Sequence, residues 1–169
     1  MQLQPGDLGW FWRFGDVATA AAIRTWSRDG RMLAIGLLDG PDLLRMTTAP
    51  DARQDRELAA QLVGDLSDPH RGVLPAGEVF VEAPTDALVQ ELLGANGWAR
   101  DEPWVPLHRD LTDPVEDPGV RVEIVGRAQV GVRAAIQRAS FEKSTFTAER
   151  WRAMAAGLPY SDARCLVAY

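Results

Sequence analysis

Few side chains in this sequence belong to the types that catalyse reactions or bind metals. The chain has two histidines, His70 and His108, and one cysteine, Cys165. Because these three residues lack the spacing of common zinc ligands, no metal site is predicted. A single cysteine forms no internal disulfide, so nothing in the sequence requires an oxidising compartment. Cys165 lies in an apolar stretch, where we expect a buried and inert thiol.

Two carboxylates and two arginines are better placed for chemistry. Glu78 and Glu82 fall on one face of an alternating stretch, where a carboxylate pair can transfer protons. The alternative, a solvated strand face, agrees with the usual exposure of glutamate. Arg53 and Arg56 can clamp phosphates at the start of a helix, or can simply be two solvated charges there.

Six tryptophans are a further candidate, because their rings can stack a flat ligand. Large aromatic side chains more often anchor a core or an interface. Trp10, Phe11 and Trp12 are consecutive, so they cannot all face one side of a helix or strand. We therefore expect one of these three rings to contact a partner surface.

Composition excludes several classes of protein. The chain has 169 residues, 46% of them hydrophobic, which suits one globular domain or one and a fraction. Its net charge of −6 argues against nucleic acid or an anionic membrane as the default partner. The apolar runs are too short to span a bilayer, and no secretory signal begins the sequence. A soluble, cytoplasmic protein is predicted.

The elements that must position these residues follow from hydrophobic periodicity and turn residues. The first part predicts a helix within 15–22, a three-stranded meander over 23–48, a helix that begins at Pro50, a strand over 78–83, a helix capped by Thr85 and a hairpin over 98–111. Asp29-Gly30 supplies the first tight turn of the meander. Leu58, Leu62 and Leu66 define the apolar face of the second helix.

A second pattern follows the acidic, proline-rich stretch 112–119, which predicts a linker. It consists of a strand over 120–125, a helix over 128–141, a helix from Thr147 to Met154 and an apolar strand over 164–169. Val132 and Ile136 are predicted on the buried face of the first of these helices. We expect the last strand to pair with another copy of the chain or with the first sheet, because proteins protect edge strands. This pairing predicts a homo-oligomer.

Three segments carry a resemblance to a known family: 47–58, 92–99 and 146–154. Together with the order of elements, they resemble the GNAT superfamily of acetyl-CoA-dependent N-acetyltransferases, in its tandem form. The resemblance implies a degenerate GNAT-like unit over 1–111, a linker over 112–119 and the N-terminal part of a second unit over 120–169. It also implies an α/β (α+β) fold with a mixed, mainly antiparallel sheet flanked by helices, the second unit being incomplete.

The resemblance implies acetyl-CoA as cofactor, and its loop maps onto the residues Thr47, Thr48, Arg53, Gln54 and Arg56. The family loop uses glycines, because its backbone N–H groups approach the pyrophosphate closely. Gln54 and Arg56 replace such glycines, and Asp55 and Glu57 add negative charge that repels phosphate. Leu93 stands where many relatives carry a proton-donating tyrosine.

In the second unit, the resemblance implies an acceptor site for a small-molecule or peptide amine at the corner between the two helices. The residues there are Phe141, Glu142, Phe146 and Tyr160, for which local packing is the alternative. The implied function is N-acetyl transfer catalysed by the second unit, whose own acyl-CoA segment is expected after Tyr169. This chain alone is then expected to be inactive, and no catalytic residue is assigned. The alternatives are a structural or dimerisation module that does not bind acetyl-CoA, and a binding domain that reuses the cleft.

Overall fold

A computed structural model describes residues 2–102, 109–110 and 112–169. The chain divides into two compact units. The first comprises Met1–Gln4 and Ala20–Pro106, and the second comprises Pro5–Thr19 and Leu107–Tyr169. The expected division at 112–119 differs in two respects: the boundary falls between Pro106 and Leu107, and the N-terminal segment 5–19 belongs to the second unit.

The helices and strands of the described residues are mixed along the chain. The helices are α1 (Pro5–Phe11), α2 (Asp16–Ala22), α3 (Arg56–Ser67), α4 (Leu88–Ala95), α5 (Val130–Ser140) and α6 (Ala148–Ala156). The strands are β1 (Ile23–Arg28), β2 (Arg31–Leu38), β3 (Leu43–Thr48), β4 (Phe80–Glu82), β5 (Val122–Ile124) and β6 (Leu166–Ala168). None of these helices is long and apolar enough to cross a membrane.

The first unit has one four-stranded sheet in the order β1-β2-β3-β4. Its first two pairs are antiparallel, and β4 joins β3 in parallel. Asp29 and Gly30 turn the first hairpin with φ of 51° and 76°, the left-handed conformation that this turn requires. The mixed, mainly antiparallel α/β fold predicted from the sequence is confirmed.

Helix α3 packs on this sheet through the predicted face. Leu58, Leu62 and Leu66 are buried there, and Leu44 and Met46 of β3 are completely buried. The helix begins at Arg56 rather than at Pro50, because Pro50–Ala52 forms a separate 3-10 turn and Asp55 supplies the N-cap. Likewise α4 begins at Leu88, beyond the predicted cap Thr85.

The second unit contains the two-stranded sheet of β5 and β6, with α5 and α6 between these strands in the sequence. The two strands pair antiparallel, from Val122 opposite Ala168 to Ile124 opposite Leu166. The predicted pairing of the last strand with another copy or with the first sheet is therefore replaced by pairing with β5. The two intervening helices return the chain beside its own strand, so a local partner is available.

The core of the second unit includes the N-terminal segment. The Trp10 ring stacks on Phe146, with centroids 5.1 Å apart and an interplanar angle of 22°. Trp151 and Met154 of α6 are buried in the same cluster. The buried positions of α5 are Val130 and Ala134, whereas the predicted face is exposed. Trp10 therefore has an intramolecular partner, in the unit to which the sequence did not assign it.

The predicted hairpin over 98–111 contains residues that the structure does not describe. Trp104 and His108 lie outside the described residues. Of the rest, 98–102 and 109–110 form no strand. Residues 112–119 are exposed and contain neither helix nor strand.

Candidate functional site

The loop from β3 to α3 is the segment that the sequence analysis connected with acetyl-CoA. Thr47 and Thr48 end β3, Arg53 and Gln54 lie in the loop, and Arg56 opens α3. The chain therefore brings these five positions to one end of the sheet. What their side chains bind decides whether this loop can accept a phosphate.

The N-terminus of α3 is already occupied by a carboxylate. Asp55 Oδ1 accepts a hydrogen bond of 2.9 Å from the Leu58 backbone N–H, as an N-cap does. Asp55 Oδ2 also accepts one of 2.8 Å from Arg28 on β1. The Arg28 hydrogen bond, with the backbone bond from Leu58, lowers the pKa of Asp55. This carboxylate is therefore held, in its charged form, at the position where a helix would bind an anion.

The side chains of Arg53 and Gln54 are bound to a neighbouring loop. Arg53 pairs with the carboxylate of Asp86, and Gln54 Nε2 donates 2.7 Å to the Asp86 backbone oxygen. The Arg53 backbone oxygen accepts 2.8 Å from the N–H of Leu88, at the start of α4. The side chains of Arg53 and Gln54 therefore connect this loop to the segment that precedes α4.

Most of the charged side chains around this loop form ion pairs. Arg31 Nη2 lies 2.5 Å from Asp51 Oδ1, and Arg28 reaches Glu57 at 3.4 Å as well as Asp55. The hydrogen bond from Arg31 lowers the pKa of Asp51. Arg56 is exposed and forms no ion pair with any residue that the structure describes. Because Arg28 pairs with Asp55 and Glu57, these carboxylates repel a phosphate less than the sequence predicts. Arg28 and Arg31, however, are already paired and are not available to bind a phosphate.

The two threonines point to opposite faces of the sheet. Thr48 shares its face with Leu44 and Met46, and its buried hydroxyl has no hydrogen-bond partner. On the other face, Thr47 Oγ1 donates 3.3 Å to Gln2 Oε1. Arg53 Nε is also buried without a partner. Because Thr48 faces the core, its unsatisfied hydroxyl gives no contact for a phosphate outside the loop.

Acetyl-CoA, which the resemblance implies, does not fit the loop of the first unit. Its pyrophosphate needs small residues and free backbone N–H groups at a helix N-terminus. Here a carboxylate caps the helix, and the two preceding side chains are bound to Asp86. Leu93, at the position of the family tyrosine, is buried in the core.

The other acidic residues of the first unit do not form a catalytic pair. Glu82 Oε2 accepts 3.0 Å from Arg45, which also donates 2.9 Å to Asp39. Glu78 is exposed and lies outside β4, which is only three residues long. His70 is exposed in the loop after α3. Within the described ranges, no three His, Cys, Asp or Glu side chains are placed to hold a metal ion.

One cavity of the first unit lies away from this loop. Its volume is about 830 Å³, and it is lined by residues from 66–101, including Ser67 at the end of α3. A twelve-residue helix separates Ser67 from the Asp55 cap, a distance of roughly 16–18 Å. None of the five candidate loop residues lines this cavity.

A second cavity, of about 590 Å³, lies within the second unit. We call it the α5–α6 cleft, and its lining consists of four cationic, four aromatic and three polar residues: Arg13, Arg133, Lys143, Arg150, Trp10, Phe14, Phe141, Phe146, Gln137, Ser144 and Thr145. Two of the four predicted acceptor residues, Phe141 and Phe146, belong to it. The sequence analysis did not assign the other nine lining residues to this site.

The remaining predicted acceptor residues, Glu142 and Tyr160, do not line the cleft. Glu142 is exposed. Tyr160 packs edge-on against Trp151, with centroids 6.3 Å apart. Burial, reinforced by a hydrogen bond with Cys165, raises the pKa of Tyr160 to about 12. Cys165 is half-buried rather than buried. Tyr160 is therefore a packing residue, because its phenol faces the core cluster and a thiol.

Comparison of the chain with family models, with curated proteins and with solved structures gives no match.

Proposed function

We propose that this chain carries a GNAT-like first unit that does not bind acetyl-CoA and has a structural role, followed by part of a second GNAT-like unit. The resemblance is supported by the path of the chain through β3, the loop, α3 and a parallel β4. The observation that carries the loss of binding is the Asp55 carboxylate at the N-terminus of α3.

The physical argument is one of competition for the same donors. A phosphate at this helix would need the N–H that Asp55 now accepts, and would stand beside a carboxylate. Breaking the Arg28 and Asp86 pairs would free cations, but each break would leave an acidic partner nearby. Binding of a pyrophosphate therefore gains little net charge attraction.

Calorimetry of the full chain with acetyl-CoA tests the proposal. We expect no binding that depends on Arg56, the one loop arginine that is exposed and forms no ion pair in the described chain. Arg56→Ala is the test variant, and Arg127→Ala, an exposed arginine of the second unit, is the matched control. Micromolar binding that Arg56→Ala weakens and Arg127→Ala does not would overturn the proposal.

A second candidate function is acetyl transfer to an amine by the second unit. It is favoured by the order β5, α5, α6, β6. An acetylation assay with a panel of amines separates the two. Turnover by the 169-residue chain, at a rate unchanged in Arg56→Ala, would place the second candidate ahead.

A further inference from the structure

The α5–α6 cleft has a charge that the composition of the chain does not lead one to expect. Its described lining contains four cationic side chains and no aspartate or glutamate, although the chain carries a net charge of −6. Among the described residues, Arg133, Lys143 and Arg150 form no ion pair. Glu149, the nearest acidic residue in sequence to Arg150, pairs with Arg152 instead. Cations converging on a concave surface concentrate anions there.

The two helix arginines keep donors free for a ligand. Arg133 of α5 donates a 2.7 Å hydrogen bond to Gln137 through its Nη1. Arg150 of α6 donates to Thr145, also through its own Nη1. A guanidinium carries five N–H donors in a planar fork. Nε and Nη2 of both side chains form no hydrogen bond within the described part of the chain, so they can bind a carboxylate or phosphate.

Aromatic rings hold these guanidinium groups in place. Arg150 lies 5.2 Å from the centroid of Phe14, and Arg133 lies 5.7 Å from that of Phe146. Such cation–π contacts fix the planar groups without neutralising their charge. Phe141 is 59% exposed beside them. An exposed ring next to anchored cations provides a stacking surface as well as charge.

The turn that carries Lys143 supplies a second, independent observation. The Ser144 backbone N–H donates 3.1 Å to the Phe141 oxygen, which closes the turn. Lys143 occupies its third position with φ of 61°, a conformation that favours glycine or asparagine. Unfavourable backbone conformations concentrate at functional sites. The turn therefore holds a lysine at the cleft in a conformation that lysine does not prefer.

We propose that the α5–α6 cleft binds a small anionic molecule in which a carboxylate or phosphate is attached to a flat ring. The anionic oxygens pair with Arg133 and Arg150, with Lys143 contributing charge, and the ring stacks on Phe141. The same charges disfavour a simple cationic amine. The inference is independent of the structural role proposed for the first unit, because it concerns different residues. It competes with the second candidate function, since an amine acceptor would use the same corner.

Binding of phenyl phosphate and benzoate to the full chain tests this proposal. We expect saturable binding in calorimetry, with an affinity that falls as salt is added. Benzyl alcohol, which has the ring without the charge, and benzylamine, which has the opposite charge, are expected to bind at least tenfold more weakly. Inorganic phosphate, which lacks the ring, is expected to bind more weakly than phenyl phosphate.

Substitutions locate the site. Arg133→Gln and Arg150→Gln are each expected to weaken binding of phenyl phosphate at least tenfold, because each removes a charge-assisted pair. Arg152→Gln is the matched control, since Arg152 is on α6 but does not line the cleft. Lys143→Gly relieves the turn, so the folded state is retained while one charge is lost. Circular dichroism spectra of all the variants monitor folding.

Three results would overturn the proposal: no saturable binding of either anion in the millimolar range, equal binding of benzylamine, or equal losses in Arg150→Gln and Arg152→Gln. The outcome is separable from that of the proposed function. Acetyl-CoA binding that Arg150→Gln removes and Arg56→Ala leaves unchanged supports the cleft. The reverse pattern refutes the proposed function and leaves the cleft to be judged on phenyl phosphate.

Discussion

Replacing Gly157 by alanine should destabilise the second unit by steric conflict alone. Gly157 follows α6 with φ of −74° and ψ of 144°, a conformation open to alanine. A Cβ there would lie 2.4 Å from Cδ1, 2.5 Å from Cγ and 2.6 Å from Nε1 of Trp12. Because ordinary carbon contacts are about 3.5–4.0 Å, the Trp12 ring must move by roughly 1 Å.

The expected cost follows from measured overpacking of protein cores. Such substitutions cost about 1–3 kcal/mol in free energy of unfolding. For a unit of this size, each kcal/mol lowers Tm by roughly 4–8 °C. Thermal unfolding followed by circular dichroism measures the loss, and hydrogen exchange of α6 peptides assigns it to the second unit.

Two further variants make the test decisive. Gly131→Ala in α5 is the control, because a Cβ there meets nothing within 4 Å, and alanine should raise stability by up to about 1 kcal/mol. In a Trp12→Ala background, Gly157→Ala should cost nothing further. A Gly157→Ala protein as stable as the parent would refute the packing of segment 5–19 against α6.

Three other predictions follow from single contacts. Trp26→Phe removes the 2.9 Å hydrogen bond to Asp65 Oδ2 and should cost about 1–2 kcal/mol in urea unfolding. The pKa of Tyr160 is raised to about 12 in the folded protein, whereas tyrosines of the unfolded chain titrate near 10. The free energy of unfolding should therefore fall between pH 10 and 12. In an absorbance titration of the folded protein, Tyr160→Phe should abolish the step at the higher pH. Because the Arg28 hydrogen bond lowers the pKa of Asp55, this pair stabilises the fold above about pH 4, and the stabilisation is lost as the pH falls further. The difference in free energy of unfolding between the parent protein and Asp55→Asn should therefore shrink as the pH falls below about 4.

Features that depend on neighbours in the sequence were predictable. Asp29-Gly30 determines its turn through two residues, and the face of α3 follows from three leucines at helical spacing. Thr147 caps α6 as predicted, accepting 3.2 Å from the Arg150 backbone N–H. Each of these interactions spans four residues or fewer, or repeats at helical period, so local periodicity is enough to identify it.

Features that depend on distant partners were not predictable. Arg28 and Asp55 are 27 residues apart, and Arg53 and Asp86 are 33 apart. The sequence gives the charge of each residue, but the fold decides which charges meet. For the same reason the predicted acceptor site lacked the three N-terminal residues of the cleft, Trp10, Arg13 and Phe14, because nothing local to Trp10 indicates a partner beyond residue 130. Arg133 and Gln137 lie one turn apart on α5 and both line the cleft, which was the available signal for the rest.

The divided second unit has a consequence for how the chain is synthesised. Trp10 and Trp12 leave the ribosome early, but their partners Phe146 and Gly157 come much later. At about 5–20 residues per second, the roughly 140 intervening residues take on the order of 10 s to add. The strands of the first unit are complete long before then, whereas the aromatic segment waits without its core. In a nascent chain the tryptophan segment is therefore without its partners for several seconds, whereas in the folded protein Trp10 and Trp12 are half-buried.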